Sequence, residues 1–235
     1  MKLVFLDLST IDLDGDMYFG DLSTLGSYTS WPMTTPEKLL EHAGDAEVLI
    51  VNKVYLGRTE IEALPKLKHI AVIATGVNNV DLAAAQELGI RVTNVGGYGK
   101  YTVPQHAFAL ILALADRLID YAGDVARGEW DRSTSFTLLR YPTFELAGKT
   151  LGIIGFGAIG RGAAEIAAGF RMPVRTHDLF PFEYPPYTNE PLDAVLKHSD
   201  VVSIHAPLTE ETRNLIGREE LAMMKPGALL VNTGR

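Results

Sequence analysis

The chain has 235 residues, 47% of them hydrophobic, which is enough to bury a substantial core in one or two domains. A net charge of -8 gives no electrostatic footprint for a nucleic-acid backbone or an anionic membrane surface. With no cysteine, disulfides, thiolate metal sites and a cysteine nucleophile are excluded, a reducing cytoplasmic compartment is the expectation, and no metal is expected.

Met1-Lys-Leu-Val-Phe-Leu-Asp7 is too short an apolar run to be a signal peptide and reads as a first buried strand. Further apolar runs predict strands near 47–51, 69–74 and 91–93, with helical patterns near 36–43, 59–64 and 81–88 between them. Residues 7–35 carry no such signal and read as irregular. A long helix is expected to begin at Thr102, where Thr102-Val-Pro-Gln105 has the spacing of a capping box and Pro104 would fall in the tolerant first turn. The longest apolar run, Ala107 to Ala115, suits a buried helix rather than a membrane span. After an irregular stretch at 129–147, strands are expected near 150–154, 173–177, 200–204 and 228–232, with helices near 158–169, 190–198 and 218–224. Strands alternating with helices predict an α/β fold: two Rossmann-like, doubly wound parallel-sheet domains.

One turn carries chemistry. Thr150-Leu-Gly-Ile-Ile-Gly-Phe-Gly-Ala-Ile-Gly160 is an apolar strand breaking into Gly155, Gly157 and Gly160, with Asp178 at the end of the next strand. The three glycines answer separate demands: a sharp turn, close backbone approach to a pyrophosphate, and a helix lying tight against the strand. A phosphate would sit on the helix N-terminus, where unpaired N–H groups and the positive dipole end meet. A glycine-rich turn without a ligand is the alternative; the flanking strand, the helix and the distant acid weigh against it. Asp178 suits the adenosine ribose and opposes a 2′-phosphate, and Leu179 and Phe180 supply no cation, so NAD is expected over NADP. A solvated strand-end aspartate is the competing reading.

Several ordered motifs together resemble one family. They are Ala74-Thr-Gly-Val-Asn-Asn-Val-Asp81, Asn94-Val-Gly-Gly-Tyr98 leading into Thr102-Val-Pro-Gln-His106, Leu146 through Arg161, Ser199-Asp-Val-Val-Ser-Ile-His-Ala-Pro-Leu-Thr209, and Met224 through Arg235. The sequence resembles the D-isomer-specific 2-hydroxyacid dehydrogenases, nearest their glycerate dehydrogenase or hydroxypyruvate reductase branch. That resemblance implies a flavodoxin-like substrate domain over 1–101 and an NAD-binding Rossmann domain over 102–235. It implies hydride transfer between NAD(H) and C2 of a small 2-oxo or 2-hydroxy acid, hydroxypyruvate or glyoxylate among them, and a homodimer.

Residue by residue, the resemblance makes Arg235 the catalytic arginine that holds the substrate carboxylate and carbonyl, and the backbone of Thr75, Gly76 and Val77 a second carboxylate contact. Thr102, Val103, Gly155, Gly157, Ala158, Ile159, Gly160, Arg161, Asp178, His205, Ala206, Pro207, Thr233 and Gly234 correspond to coenzyme-lining positions. The family's histidine acid/base and its orienting glutamate fall beyond the position of Arg235, and none of the six histidines has a carboxylate at a telling spacing. Only four of six Rossmann strands are countable from Thr150, which leaves the fourth at a sheet edge and suggests a chain that is incomplete at its C-terminus and inactive by itself. A non-catalytic dinucleotide-binding or regulatory module ending at Arg235 is the alternative. Phosphoglycerate dehydrogenase chemistry within the same superfamily also stays open, because fold kinship does not set a substrate.

Overall fold

The computed structural model describes residues 1–234, which form two compact units, Met1–Tyr98 and Gly99 onward. In the first unit, β1 (Lys2–Phe5), β2 (Ser27–Ser30), β3 (Val48–Val51), β4 (His69–Val72) and β5 (Arg91–Asn94) make one parallel sheet in the order β2-β1-β3-β4-β5. That is the flavodoxin-like order. Three short helices, α1 (Leu39–Ala43), α2 (Arg58–Glu62) and α3 (Leu82–Glu87), connect the strands. Register aligns Val4, Leu49, Ile70 and Val92 in one row across the sheet, and the first three are fully buried. The central strand β3 is buried at all four positions, as a strand covered on both faces must be. Asp81 caps α3 by accepting the Ala84 N–H at 2.8 Å.

The stretch 7–35, expected to be irregular, contains β2 and two 3-10 turns at Leu8–Thr10 and Gly20–Thr24. Strand β2 reads Ser-Tyr-Thr-Ser, with no apolar alternation, because it is an edge strand with none of its four residues buried. Its place is set by backbone pairing to β1, from Lys2↔Ser27 through Phe5↔Ser30.

The second unit opens with α4 (Gly99–Ala115) and α5 (Leu118–Ala126), followed by β6 (Leu151–Ile154), α6 (Ala158–Gly169), β7 (Val174–His177), α7 (Leu192–His198), β8 (Val201–Ile204), α8 (Arg218–Met223) and β9 (Leu229–Asn232). Its parallel sheet runs β7-β6-β8-β9, with β9 at one edge. Against the doubly wound order, these strands hold places two, one, four and five. The third place, beside β7, is taken by a single parallel bridge between Thr176 and Asn189. Alternation sorts the two faces. Leu151, Ile153 and Val201 pack with Phe108, Ile111, Ala163 and Ala167 of α4 and α6, while Ile154 and Val202 pack with Leu196 and partly buried Met224 and Leu230 on the other side.

The long helix departs from expectation at its start. It begins at Gly99, so Thr102 lies inside it and no capping box forms there. Pro104 is therefore an interior proline, which removes the N–H that Lys100 O would otherwise receive. Gly162 of α6 lies against this spot, since a Cβ there would fall 2.8 Å from Lys100 O and 3.0 Å from Pro104 Cγ. At the far end the helix breaks at Arg117, which has φ 52°, and α5 follows, where the sequence pattern predicts no second helix. Among the described residues no helix is long and apolar enough to cross a membrane.

Candidate nucleotide site

The site is built where the chain leaves β6. Gly155 has φ +90°, a left-handed conformation that side chains rarely adopt, and a Cβ there would stand 2.5 Å from Ala206 N. The turn after β6 thus lies against the turn after β8, at the point where the sheet order reverses and open α/β folds bind ligands. Gly160 answers a packing demand, because a Cβ would collide with Gly155 O and approach Ile153 Cγ2 to 3.1 Å. Gly157 differs from both. Its φ is -74°, it is the N-cap of α6, and a Cβ there would meet nothing within 4 Å. Neither strain nor packing calls for glycine at 157; open space over the start of a twelve-residue helix does.

Around this opening the structure gathers most of the expected residues of the second unit. Ala158 and Ile159 begin α6, and no side chain caps its N-terminus, leaving first-turn N–H groups to face a ligand. Val103 of α4 lies nearby, since the space beside Gly99 is bounded by Val103 Cγ2 and Ile159 Cδ1; exposed Thr102 precedes it. Arg161 is held sideways: its Nε donates to Phe156 O at 3.1 Å and its guanidinium lies 4.4 Å from the Tyr184 ring centroid. Asp178 follows β7, and its Oδ2 accepts the Phe156 N–H at 2.7 Å, so the acid and the glycine turn are one hydrogen-bonded unit.

Across the switch point, Ala206 and Pro207 line a depression of about 200 Å³ with Ile204, Thr212 and Asn232. His205 is partly buried, and desolvation of its ring holds its pKa down to about 4, so the ring is neutral at neutral pH. Its Nε2 meets Ser203 Oγ at 3.0 Å, while Nδ1 is buried without a partner among the described residues. Thr233 Oγ1, after β9, is likewise buried and unpartnered, and Gly234 N donates to Asn232 Oδ1 at 2.9 Å. Buried polar atoms without partners call for an explanation, and a bound polar ligand supplies one. The open cradle at Gly157, the free helix start and these two atoms fit a dinucleotide.

In the first unit, Thr75, Gly76 and Val77 follow β4 at the carboxyl end of the sheet. Thr75 is tied on both sides: its Oγ1 donates to Val95 O at 3.1 Å and its carbonyl accepts Asn94 Nδ2 at 2.7 Å. Asn79 Nδ2 donates to Val54 O at 3.0 Å and Leu56 N to Asn79 O at 2.8 Å, which joins this loop to the one after β3. Arg235 lies outside the described residues. Among the described residues, no histidine is ion-paired with a carboxylate, and no group of three or more His, Asp or Glu is placed to hold a metal ion.

Three contributors carry no signal at fixed spacing in the sequence. Phe156, the residue inside the glycine turn, is buried in a box of Phe182, Tyr184 and Tyr187 with centroids 4.8 to 5.8 Å away. Tyr184 holds Arg161. Asn189 binds the backbone of Asp178.

Residues 108–235 match the model of the D-isomer specific 2-hydroxyacid dehydrogenase, NAD binding domain. The chain belongs to the D-isomer-specific 2-hydroxyacid dehydrogenase family. Its second unit carries the family's NAD-binding fold, and the coenzyme is NAD. This dehydrogenase chain is 40% identical over 235 residues to a glycerate dehydrogenase of Methylorubrum extorquens, covering all of this chain and 72% of that one. It is 35% identical to a hydroxypyruvate reductase of Blautia hydrogenotrophica, covering 74% of that protein. Among solved structures it resembles the TT0316 protein from Thermus thermophilus, with TM-score 0.86 and 33% identity, covering 74% of that chain. It also resembles the NAD-dependent formate dehydrogenase from Staphylococcus aureus in complex with NAD, with TM-score 0.83, 30% identity and 74% of that chain covered.

Proposed function

We propose that this protein is an NAD-dependent oxidoreductase acting between a small D-2-hydroxy acid and its 2-oxo acid, with hydroxypyruvate or glyoxylate as the oxo substrate. The observation that carries the reading is Gly157, a glycine with ordinary backbone angles that faces empty space over a helix start. When bound, the coenzyme supplies or accepts the hydride. The chain's own residues do the rest: α6 and the 155–160 turn seat the pyrophosphate, and Asp178 accepts from the adenosine ribose. In this reading residues 1–101 are the substrate domain and 102–235 the coenzyme domain. The Thr75–Val77 backbone holds the substrate carboxylate, and Arg235, a planar fork with permanent charge, binds carboxylate and carbonyl together. The names of relatives that reduce hydroxypyruvate or glyoxylate support the substrate class. The acidic, cysteine-free composition supports a cytoplasmic setting.

Two finer parts of the reading rest on side chains of the second unit. Homodimerisation is supported by exposed Leu118, Ile119, Val125, Trp130, Phe136 and Leu139 on α5 and the arm that follows it. That arm is anchored by the buried Asp124, which takes Arg127 and Arg140 as ion partners and the Tyr141 hydroxyl at 3.4 Å. The second part is that these 235 residues do not turn over by themselves, because among the described residues no histidine is ion-paired with the carboxylate that proton transfer needs. NADH oxidation with hydroxypyruvate and glyoxylate tests this, using the 235-residue protein and the same protein extended by a segment bearing the family's glutamate and histidine. The extended form should turn over, and the shorter one should be slower by about a hundredfold to ten-thousandfold. Rates within about tenfold of each other would place the proton relay inside these residues, with His106 and His205 first to be replaced.

A further inference from the structure

Asp178 is held at two levels. Its carboxylate Oδ2 accepts the Phe156 N–H at 2.7 Å and its Oδ1 the Phe180 N–H at 3.0 Å. An ionised carboxylate offers about four lone-pair sites, two on each oxygen, so one remains on each. Two acceptor sites side by side suit two donors, which is what a ribose diol presents.

The main chain of Asp178 is fixed separately, by one side chain. Its N–H donates to Asn189 Oδ1 at 2.8 Å, and its carbonyl accepts Asn189 Nδ2 at 2.9 Å. A single carboxamide thus meets both backbone groups, as a neighbouring strand would, just past the last residue of β7. Asn189 is itself anchored through its backbone. Thr176 Oγ1 donates to Thr188 O at 2.7 Å and Glu190 N donates to Thr176 O at 2.8 Å, on either side of the Thr176–Asn189 bridge. Rigidity passes from β7 to residues 188–190, through the Asn189 carboxamide to Asp178, and on to Phe156 in the glycine turn. Asn189 is solvent-exposed and fills no core, so packing does not account for it.

We propose that Asn189 is a positioning residue for coenzyme selectivity: it holds Asp178 so that one free lone pair on each carboxylate oxygen faces the adenosine ribose, and so sets the preference for NADH over NADPH. This deepens the reading of Asp178 as the ribose acceptor and rests on it. Without the carboxamide, the backbone at Asp178 exchanges its partners for water and the carboxylate loses its fixed direction. Loss of direction matters only to a ligand that donates two aligned hydrogen bonds. A 2′-phosphate donates none and is repelled by the charge, wherever within reach that charge points.

The test measures dissociation constants for NADH and NADPH, together with Tm, for the wild-type protein, Asn189→Ala, Asn189→Ser, Asp178→Ala and the double variant Asn189→Ala/Asp178→Ala. Asn189→Ala should weaken NADH about tenfold and change NADPH by less than about twofold, the size of a lost hydrogen-bonding contact. Asn189→Ser, which can restore one of the two backbone bonds, should fall between. In the Asp178→Ala background, removing Asn189 should change NADH affinity no further, because its effect runs through that carboxylate. Equal weakening of both coenzymes by Asn189→Ala, or an unchanged ratio while Asp178→Ala collapses it, overturns the role of Asn189 and leaves Asp178 as the ribose acceptor. If Asp178→Ala itself leaves the ratio unchanged, the ribose reading fails and this inference fails with it.

Discussion

The two units answer the same electrostatic problem in opposite ways. Each is a parallel sheet whose strands end in loops with outward-pointing backbone N–H groups, and such concavities attract anions. In the first unit the protein supplies the anion. Asp7, fully buried after β1, accepts three successive N–H groups from the loop after β3: Asn52 at 2.9 Å, Lys53 at 2.5 Å and Val54 at 2.8 Å. In the second unit the equivalent strand, β6, ends in Gly155, Phe156 and Gly157; Asp178 takes the single N–H of Phe156, and the helix start beyond it faces empty space. Architecture alone therefore does not make a dinucleotide site. The residue that ends the first strand decides whether the anion is internal or arrives from solution.

Closing the open site should have the largest effect. Gly157→Val introduces a side chain into space no protein atom occupies, at backbone angles an L residue adopts, so Tm should hold while NADH affinity falls by more than about a thousandfold. Tight NADH binding by this variant would mean that the pyrophosphate lies elsewhere and that the two units do not differ as described.

Opening the closed site is the converse. Asp7→Ala leaves three N–H groups without their acceptor and should destabilise the first unit by about 4 kcal/mol. The chain's two tryptophans, Trp31 and Trp130, lie one in each unit, so denaturant titrations of the Trp31→Phe and Trp130→Phe backgrounds report the units separately. Sulfate should restore more stability to Asp7→Ala than it adds to the wild type. An Asp7→Ala protein as stable as the wild type would show that the carboxylate does not act as an internal ligand.

A smaller effect comes from His205. Its folded pKa of about 4 lies below the ordinary 6.5, so the unfolded chain binds more protons between these values. Stability is complete above pH 6.5 and is lost as pH falls toward 4, by up to roughly 3 kcal/mol. The difference in unfolding free energy between the wild type and His205→Gln should follow that window. A difference independent of pH from about 7 to about 4 would mean that the imidazole is not held neutral by burial.

Most of this arrangement is legible in the sequence because it rests on local rules. Strands β1, β3, β4, β6, β8 and β9 are apolar runs, and the glycines at 155, 157 and 160 occupy positions whose demands differ in kind. What stays hidden rests on pairing between distant segments. Nothing in Ser27-Tyr-Thr-Ser30 marks a strand, because an edge strand with half-exposed side chains needs only the backbone of β1. The start of α4 is misread because Thr102 and Gln105 have capping-box spacing while the helix already begins at Gly99. Asp7 reads as the polar end of a strand, and its partners lie more than forty residues away. Asn189 follows a proline-rich aromatic segment, and its tie to Asp178 is made by a side chain reaching across eleven residues, a contact that no strand, helix or turn pattern marks.

Pro104 and Gly162 meet where α4 lies against α6. The proline leaves Lys100 O without its helical donor and puts a ring on the face of α4, and only a residue without a side chain fits against both. The nearer obstacle is backbone: a Cβ at 162 would stand 2.8 Å from Lys100 O, so replacing the proline alone does not make room for alanine. A chain that drifts to alanine at 162 forces α4 and α6 apart whichever residue stands at 104, so glycine at 162 belongs to the close approach of the two helices, and Gly162→Ala should destabilise the second unit in a Pro104→Ala background as well as in the wild type.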